Sequence, residues 1–285
     1  MHIPDGFLSP SVWAPLDIAA LPGVAWVARR ARLETEDRSI PLMGVMGAFV
    51  FAAQMINFPV GLGTSGHLVG GALLSIALGP AAASVVMTAI LVVQAFVFQD
   101  GGIMALGANV FNMAIAGVLA GYIPYRFLNA RWRTGAIFFA GMLSVLTSAL
   151  LALSELWVSG VRLPNDLPLW LTLGLFVLNG LLEGAITVAA VGAIGRLNPT
   201  WIQQPEPSNA RAKAVFASAA LLLVVFGILL ASEAPDAIQR LTNISLPEVS
   251  SAWLHKAGAG LGGMALIFVA CALTSRFFAR RQRSA

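Results

Sequence analysis

The chain has 285 residues, of which 58% are hydrophobic and 11% are charged, and its formal net charge is +4 at pH 7. Ordinary soluble domains carry roughly 25% charged residues, so the composition excludes a water-soluble globular domain and predicts a polytopic helical membrane protein. The single cysteine, Cys271, excludes an internal disulfide and a metal site built from several cysteines.

Apolar segments follow one another along the whole chain, and each is predicted to be a transmembrane helix. The nine segments cover residues 12–28, 40–58, 67–79, 81–98, 103–122, 134–154, 168–194, 214–231 and 257–278. With the N-terminus outside, only Arg162, Arg240 and Lys256 of the 17 Lys and Arg fall on the outer side. Because cytoplasmic loops carry an excess of Lys and Arg, this bias predicts an outer N-terminus and an inner C-terminus.

The first residues, Met1-His2-Ile3-Pro4-Asp5-Gly6, differ from a secretory signal, which carries Lys or Arg before its apolar run. No basic residue precedes Arg29. We therefore expect this N-terminus to be retained in the working protein, with the free amine of Met1 beside the imidazole of His2.

A second histidine, His67, begins the third apolar segment and is expected on the same side of the membrane as His2. Between His67 and the Gly79-Pro80 turn there is room for only about 20 Å of helix, against a hydrocarbon core of ~30 Å. We therefore expect His67 about 10 Å below the outer surface, at the floor of a cavity. The glycine-rich run 61–66 before it is suited to a re-entrant loop.

These residues can chelate a metal. The amine of Met1, the peptide nitrogen of His2 and its Nδ1 atom can bind one ion through a five-membered and a six-membered ring, and His67 would add a fourth nitrogen. Planar nitrogen ligation favours Ni(II) or Cu(II), and imidazole also suits Co(II). Acid would weaken binding because it protonates the amine and the imidazoles. The alternative is a surface His2 and a helix-end His67 that bind no metal.

Several polar residues lie within or beside the predicted spans. We expect the amides Gln54, Gln94, Asn109 and Asn112 to form hydrogen bonds between helices. Glu183, near the middle of the seventh segment, is either a functional group or a buried structural one.

A hydrolase is a second reading of the same region, because Gly63-Thr64-Ser65-Gly66 looks like the serine loop of an intramembrane protease. However, Ser65 and His67 are only two residues apart, and no other intramembrane histidine could serve as the base. Neither lysine follows a glycine as in a phosphate-binding loop, so any ATP hydrolysis would belong to another chain. We predict that the protein is not an enzyme, that it has no cofactor, and that it does not bind nucleic acid.

Three motifs resemble the CbiM/NikM family, the substrate-capturing membrane components of energy-coupling factor (ECF) importers for cobalt and nickel. They are Met1–Ser9, Gly63–Gly71, and Asp100–Ile103 with Leu106–Asn109. The resemblance implies a seven-helix core, metal ligation by Met1, His2 and His67, and a pocket bordered by Ser65, Asp100 and Asn109. Implied partners are a transmembrane coupling subunit (CbiQ/NikQ-like) and cytoplasmic ATPases (CbiO/NikO-like) in the plasma membrane.

Three regions are expected along the chain: a metal-capturing domain (1–200), a Pro-rich linker (201–213) and a two-helix domain (214–285) that looks like the family's fused small subunit. That subunit's Pro-Asp-Gly-Leu-Glu motif survives here only as Pro235-Asp236. The fused unit and the planar nitrogen set slightly favour nickel. A cobalt importer component that feeds cobalamin biosynthesis is the alternative.

Overall fold

The computed structural model describes residues 2–34, 40–61, 64–129, 131–161, 169–197 and residue 202. These residues form seven helices and one two-stranded antiparallel sheet. The helices are α1 (Pro10–Glu34), α2 (Ile40–Gln54), α3 (Gly71–Leu78), α4 (Pro80–Phe98), α5 (Leu106–Leu128), α6 (Arg133–Val158) and α7 (Leu169–Leu197). The strands are β1 (Asn57–Gly61) and β2 (Thr64–His67).

Five of these helices, α1 and α4 to α7, are long and apolar enough to cross a membrane. Each of the first seven apolar segments of the sequence overlaps one helix, so the prediction of a helical, multi-pass membrane protein is confirmed. The segments 214–231 and 257–278 lie outside the described residues, as do the domain 214–285 and all of the linker 201–213 except Ile202. The count of nine helices and their orientation in the membrane therefore stay predictions.

Helix α3 lies in the centre of the bundle. It contacts α2, α4, α5, α6 and α7, and its residues Ala72, Leu73, Leu74 and Ser75 have no exposed area. A helix that is apolar on all sides is expected to be surrounded by protein or lipid, and here protein surrounds it. The chain immediately before α3, which contains His67, is thereby brought into the interior.

A β-hairpin precedes α3, with Asn57 opposite His67. The sequence-based predictions of a re-entrant loop over 61–66 and a helix from His67 were wrong, and the all-α fold class omitted these strands. Pairing of the two strands satisfies backbone N–H and C=O groups that an open loop would leave unpaired in the protein interior. Gly70, with φ of 76°, makes the left-handed turn from the hairpin into α3.

Three of the four predicted amides, Gln54, Gln94 and Asn112, connect helices, whereas Asn109 is bonded to Ile3 in the N-terminal segment. Gln94 Nε2 donates to Gln54 Oε1 at 2.8 Å, and Asn112 Nδ2 donates to Glu155 Oε2 at 2.8 Å. Gln94 and Asn112 both lie in π-helical turns, Gln94–Phe98 of α4 and Val110–Gly117 of α5. Wider turns of this kind redirect side chains and are frequent at functional sites.

Candidate metal centre

The N-terminal segment folds into the bundle. Only 4% of His2 is exposed, and Ile3 is fully buried. Ile3 N donates to Asn109 Oδ1 at 2.8 Å, while Asn109 Nδ2 and Gly102 N donate to Ile3 O at 3.1 and 2.9 Å. Both polar backbone groups of Ile3 are therefore paired with partners about a hundred residues away, and the position of the adjacent His2 follows from them.

Asp5 is a second anchor for this segment, and the sequence analysis missed it. Its carboxylate accepts hydrogen bonds from Ile103 N at 3.0 Å and Met104 N at 2.8 Å. The signal in the sequence was an acidic residue three positions after His2, with no other acidic or basic side chain before Asp17. Together with Asn109, Asp5 binds the N-terminal segment to the loop between α4 and α5.

The two histidines of the sequence analysis meet in this interior. The rings of His2 and His67 are nearly parallel, with an angle of 5° between their planes and 5.4 Å between their centroids, and both are buried. His67 Nδ1 lies 2.9 Å from Leu68 O. Since a carbonyl only accepts, Nδ1 carries the proton in this contact, and the lone pair of the neutral ring is on Nε2. This is a tautomer that can present Nε2 to a metal.

The two ring nitrogens of His2 are buried without hydrogen bonds to the residues that the structure describes. Its Nδ1 atom lies 3.2 Å from Asp100 Oδ1, but the geometry is poor for a hydrogen bond, and among the described residues neither ring nitrogen has a hydrogen-bond partner. Buried polar atoms are normally paired, because leaving one unpaired costs roughly 1–3 kcal/mol. The two nitrogens are therefore suited to a ligand that supplies the missing interaction.

Asp100 contributes negative charge at this position. Burial raises the pKa of its carboxyl, but the attraction to His2, and more weakly to His67, when these rings are protonated outweighs burial and holds the pKa well below the usual 3.8. A carboxyl whose pKa is lowered by folding stabilises the fold above pH 3.8, and this stabilisation is lost as the pH falls below that value. Asp100 is thus a carboxylate at neutral pH.

Two of the predicted site residues cannot be placed. Met1 and the side chain of Ser65 lie outside the described residues. Within the described part of the chain, no three His, Cys, Asp or Glu side chains are arranged to hold a metal ion. The described side chains of these four types therefore do not complete a metal site by themselves.

Comparison with known proteins matches residues 2–201 to the CbiM family, described as the cobalt uptake substrate-specific transmembrane region. The chain belongs to the CbiM family. The match begins at His2 and includes the hairpin, α3 and the loop with Asp100, so the geometry above is that of a CbiM-family protein.

Relatives and solved structures extend this assignment. A protein of Haloquadratum walsbyi with a metal transport name is 41% identical over 73% of this chain and 97% of its own length. A protein of Archaeoglobus fulgidus named as a fused nickel transport protein, NikMN, is 40% identical over 76% of this chain and 73% of its own length. The crystal structure of a truncated transition metal transporter covers 69% of this chain and 99% of its own, with 31% identity and a TM-score of 0.60.

Two glycines allow the close approach of the N-terminal segment. A Cβ atom on Gly101 would come within 3.1 Å of His2 Cβ, and a Cβ atom on Gly102 would overlap the side chain and backbone of Asp5. Gly101 also has φ of 96°, which other residues rarely adopt. The pair Gly101-Gly102 is thus required by contact with the segment that contains His2.

If His2 and His67 bind the metal as the sequence predicts, Gly102→Ala should weaken Ni(II) binding by the purified protein by about 10-fold or more, because displacing Asp5 also displaces His2 from its position beside His67. Isothermal titration measures the affinity. The control is Gly174→Ala in α7, where an added Cβ meets no atom within 4 Å. Equal affinity in the two variants would contradict a role for this contact in binding.

Proposed function

We propose that this CbiM-family protein is the substrate-binding membrane component of an ECF-type importer for Ni(II) or Co(II). The ligands are the amine of Met1, the backbone nitrogen and Nδ1 of His2, and Nε2 of His67. The observation that supports this set is the pair of buried, parallel imidazoles, one of which has two ring nitrogens without hydrogen bonds. The Asp100 carboxylate beside Nδ1 would add a favourable negative charge near the ion.

The pocket residues have distinct parts in this proposal. Asp100 supplies a negative charge beside His2, and Asn109 holds the backbone of the next residue, Ile3. Groups that orient metal ligands typically change affinity by about 10–100-fold when they are removed. Ser65 is included as a pocket residue on the family resemblance alone.

We slightly favour nickel because a planar set of four nitrogens suits Ni(II). The cobalt alternative, a component that feeds cobalamin biosynthesis, has support in the description of the family as a cobalt uptake region. The names of the family and of these relatives describe transport and no enzyme. No observation in the described part of the chain favours the hydrolase alternative at Ser65.

The wider assembly is also part of the proposal. The protein has nine transmembrane helices in the plasma membrane, an outer N-terminus, and a metal cavity open to the outside. A transmembrane coupling subunit and cytoplasmic ATPases provide the energy for uptake. The region 214–285 is a fused small subunit of the same importer.

A metal titration of the purified protein tests the function. We expect one Ni(II) or Co(II) per chain, with affinity that falls on acidification because protons compete for the amine and the imidazoles. Competition between the two ions in one sample then measures the preference. Failure of both ions to bind stoichiometrically would overturn the proposed function, and tighter binding of Co(II) would overturn only the preference for nickel.

A further inference from the structure

Glu183 is a buried carboxylate directed at the chain next to His67. It lies near the middle of α7 and is 1% exposed. Its Oε2 atom accepts a hydrogen bond from Val69 N at 2.8 Å, and its Oε1 atom accepts one from Gly70 N at 2.7 Å. Both oxygens of the side chain are thus used to hold two consecutive backbone N–H groups. These bonds join residues more than a hundred positions apart, just before α3 begins.

The same peptide segment is held from its other side. Gln54 Nε2 donates to Val69 O at 2.7 Å, and Gln54 is itself held by Gln94. The N–H and the C=O of Val69 are thus both bonded to buried side chains, from α7 and α2. Without these partners, the N–H and C=O of Val69 would be unpaired in the interior, which would lower the stability of the fold.

The helix that contains Glu183 has little freedom to shift. Gly184 lies at the crossing of α6 and α7, where a Cβ atom on Gly141 would come within 2.8 Å of Gly184 Cα. Close contacts of this kind between small residues are characteristic of tightly packed membrane helices. The carboxylate is therefore attached to a backbone that the α6–α7 contact holds in place.

These contacts lead directly to the imidazole of His67. Glu183 and Gln54 hold the backbone of Val69, which is bonded to the Leu68 carbonyl, and that carbonyl accepts the hydrogen bond from His67 Nδ1. The orientation of the His67 ring, and the direction of its Nε2 atom, consequently depend on the placement of this one stretch of backbone.

We propose that Glu183 and Gln54 are positioning residues for the metal site, which fix the backbone after His67 so that its imidazole points at the ion. The inference rests on the proposed function, because it assigns a purpose to His67 as a ligand. Neither residue binds the metal in this proposal. Residues that hold a metal ligand in place without binding the metal are common in metal sites, and loss of such a residue typically weakens metal binding by about 10–100-fold.

The test compares Glu183→Gln with Glu155→Gln in the purified full-length protein, using Ni(II) as the probe. Glutamine keeps the size of the side chain but places an NH2 group against one of the two backbone N–H donors. Glu155 is the matched control, since it is also a buried glutamate in a spanning helix, 9% exposed and bonded to Asn112. Affinity is measured by competition with a chelator, and the absorption spectrum is recorded at saturating Ni(II).

We expect Glu183→Gln to bind Ni(II) about 10–100-fold more weakly and to give an altered spectrum at saturation, because the nitrogen of His67 is misplaced or replaced. Glu155→Gln should match the wild type in both respects. A merely structural role of Glu183 would leave the saturated spectrum unchanged, so an unchanged spectrum overturns the inference whatever the affinity. An equal spectral change in Glu155→Gln overturns it as well.

A second variant tests the inference if Glu183→Gln does not fold. Gln54→Leu removes the bond to Val69 O from the opposite side and is expected to change the Ni(II) spectrum in the same direction, with a smaller loss of affinity. A wild-type spectrum for Gln54→Leu would overturn the inference. If the wild-type protein binds Ni(II) and His67→Ala binds it more than about 100-fold more weakly, the proposed function stands independently of either result. If the wild type binds neither Ni(II) nor Co(II), both fail together.

Discussion

Replacing His67 by Ala is expected to nearly abolish metal uptake and to weaken Ni(II) binding by more than about 100-fold. The reason is that the substitution removes one of the four proposed nitrogen donors, a larger loss than that of a group which only orients a ligand. The remaining three nitrogens belong to one short segment and can still chelate an ion weakly. Uptake of radioactive Ni(II) into cells and titration of the purified variant measure the two effects.

His255→Ala is the control for this substitution, because it removes a histidine that is not among the proposed ligands. It should leave both uptake and affinity at the wild-type level. Normal uptake by His67→Ala would remove His67 from the ligand set. In that case the contact between the two rings, 5.4 Å between centroids, would be one of packing alone.

Extending the chain before Met1 by a few residues is expected to be as damaging as losing His67. The extension converts the amine of Met1 into an amide, whose nitrogen is a far poorer donor. The added residues would also have to find room beside a buried segment, because Ile3 is fully buried and Asn109 is bonded to both of its polar backbone groups. In a preparation that otherwise begins at Met1, we expect stoichiometric Ni(II) binding to disappear.

The same extension placed after Ala285 is the control and should leave binding intact. Cleavage with a protease that restores Met1 as the first residue should recover the lost affinity, which separates loss of the amine from misfolding. Tight binding by the extended protein would exclude the terminal amine as a ligand. The backbone nitrogen of His2 would then need another partner to complete a chelate.

The helices could be predicted well from the sequence because a span is a local property. Apolar composition over about twenty residues requires a helix in lipid, whatever the rest of the chain does. The prediction failed in the one place where the pattern was not helical, at the hairpin of β1 and β2. There a glycine-rich run next to Phe58-Pro59-Val60 is compatible with a loop or with paired strands, and pairing between the two strands decides between them.

The residues of the candidate site could also be predicted only in part. His2 and His67 were found because a histidine is rare in an apolar chain, and the predicted topology put both on one side. Asp5 was missed because its partners are the backbone N–H groups of Ile103 and Met104, which have no signature in the sequence.

Two things followed from the sequence by itself: a helical membrane protein, and an unusual N-terminal histidine with a second histidine at the start of a short apolar segment. Composition and spacing suffice for these, because lipid selects apolar helices and a histidine is rare in an apolar chain. Only the tertiary structure placed the two rings 5.4 Å apart and put Glu183 on the backbone next to His67. The first contact depends on how the N-terminal segment binds Asn109 and the loop between α4 and α5, and the second on how α3, α6 and α7 pack. Packing of distant segments is not contained in any local pattern.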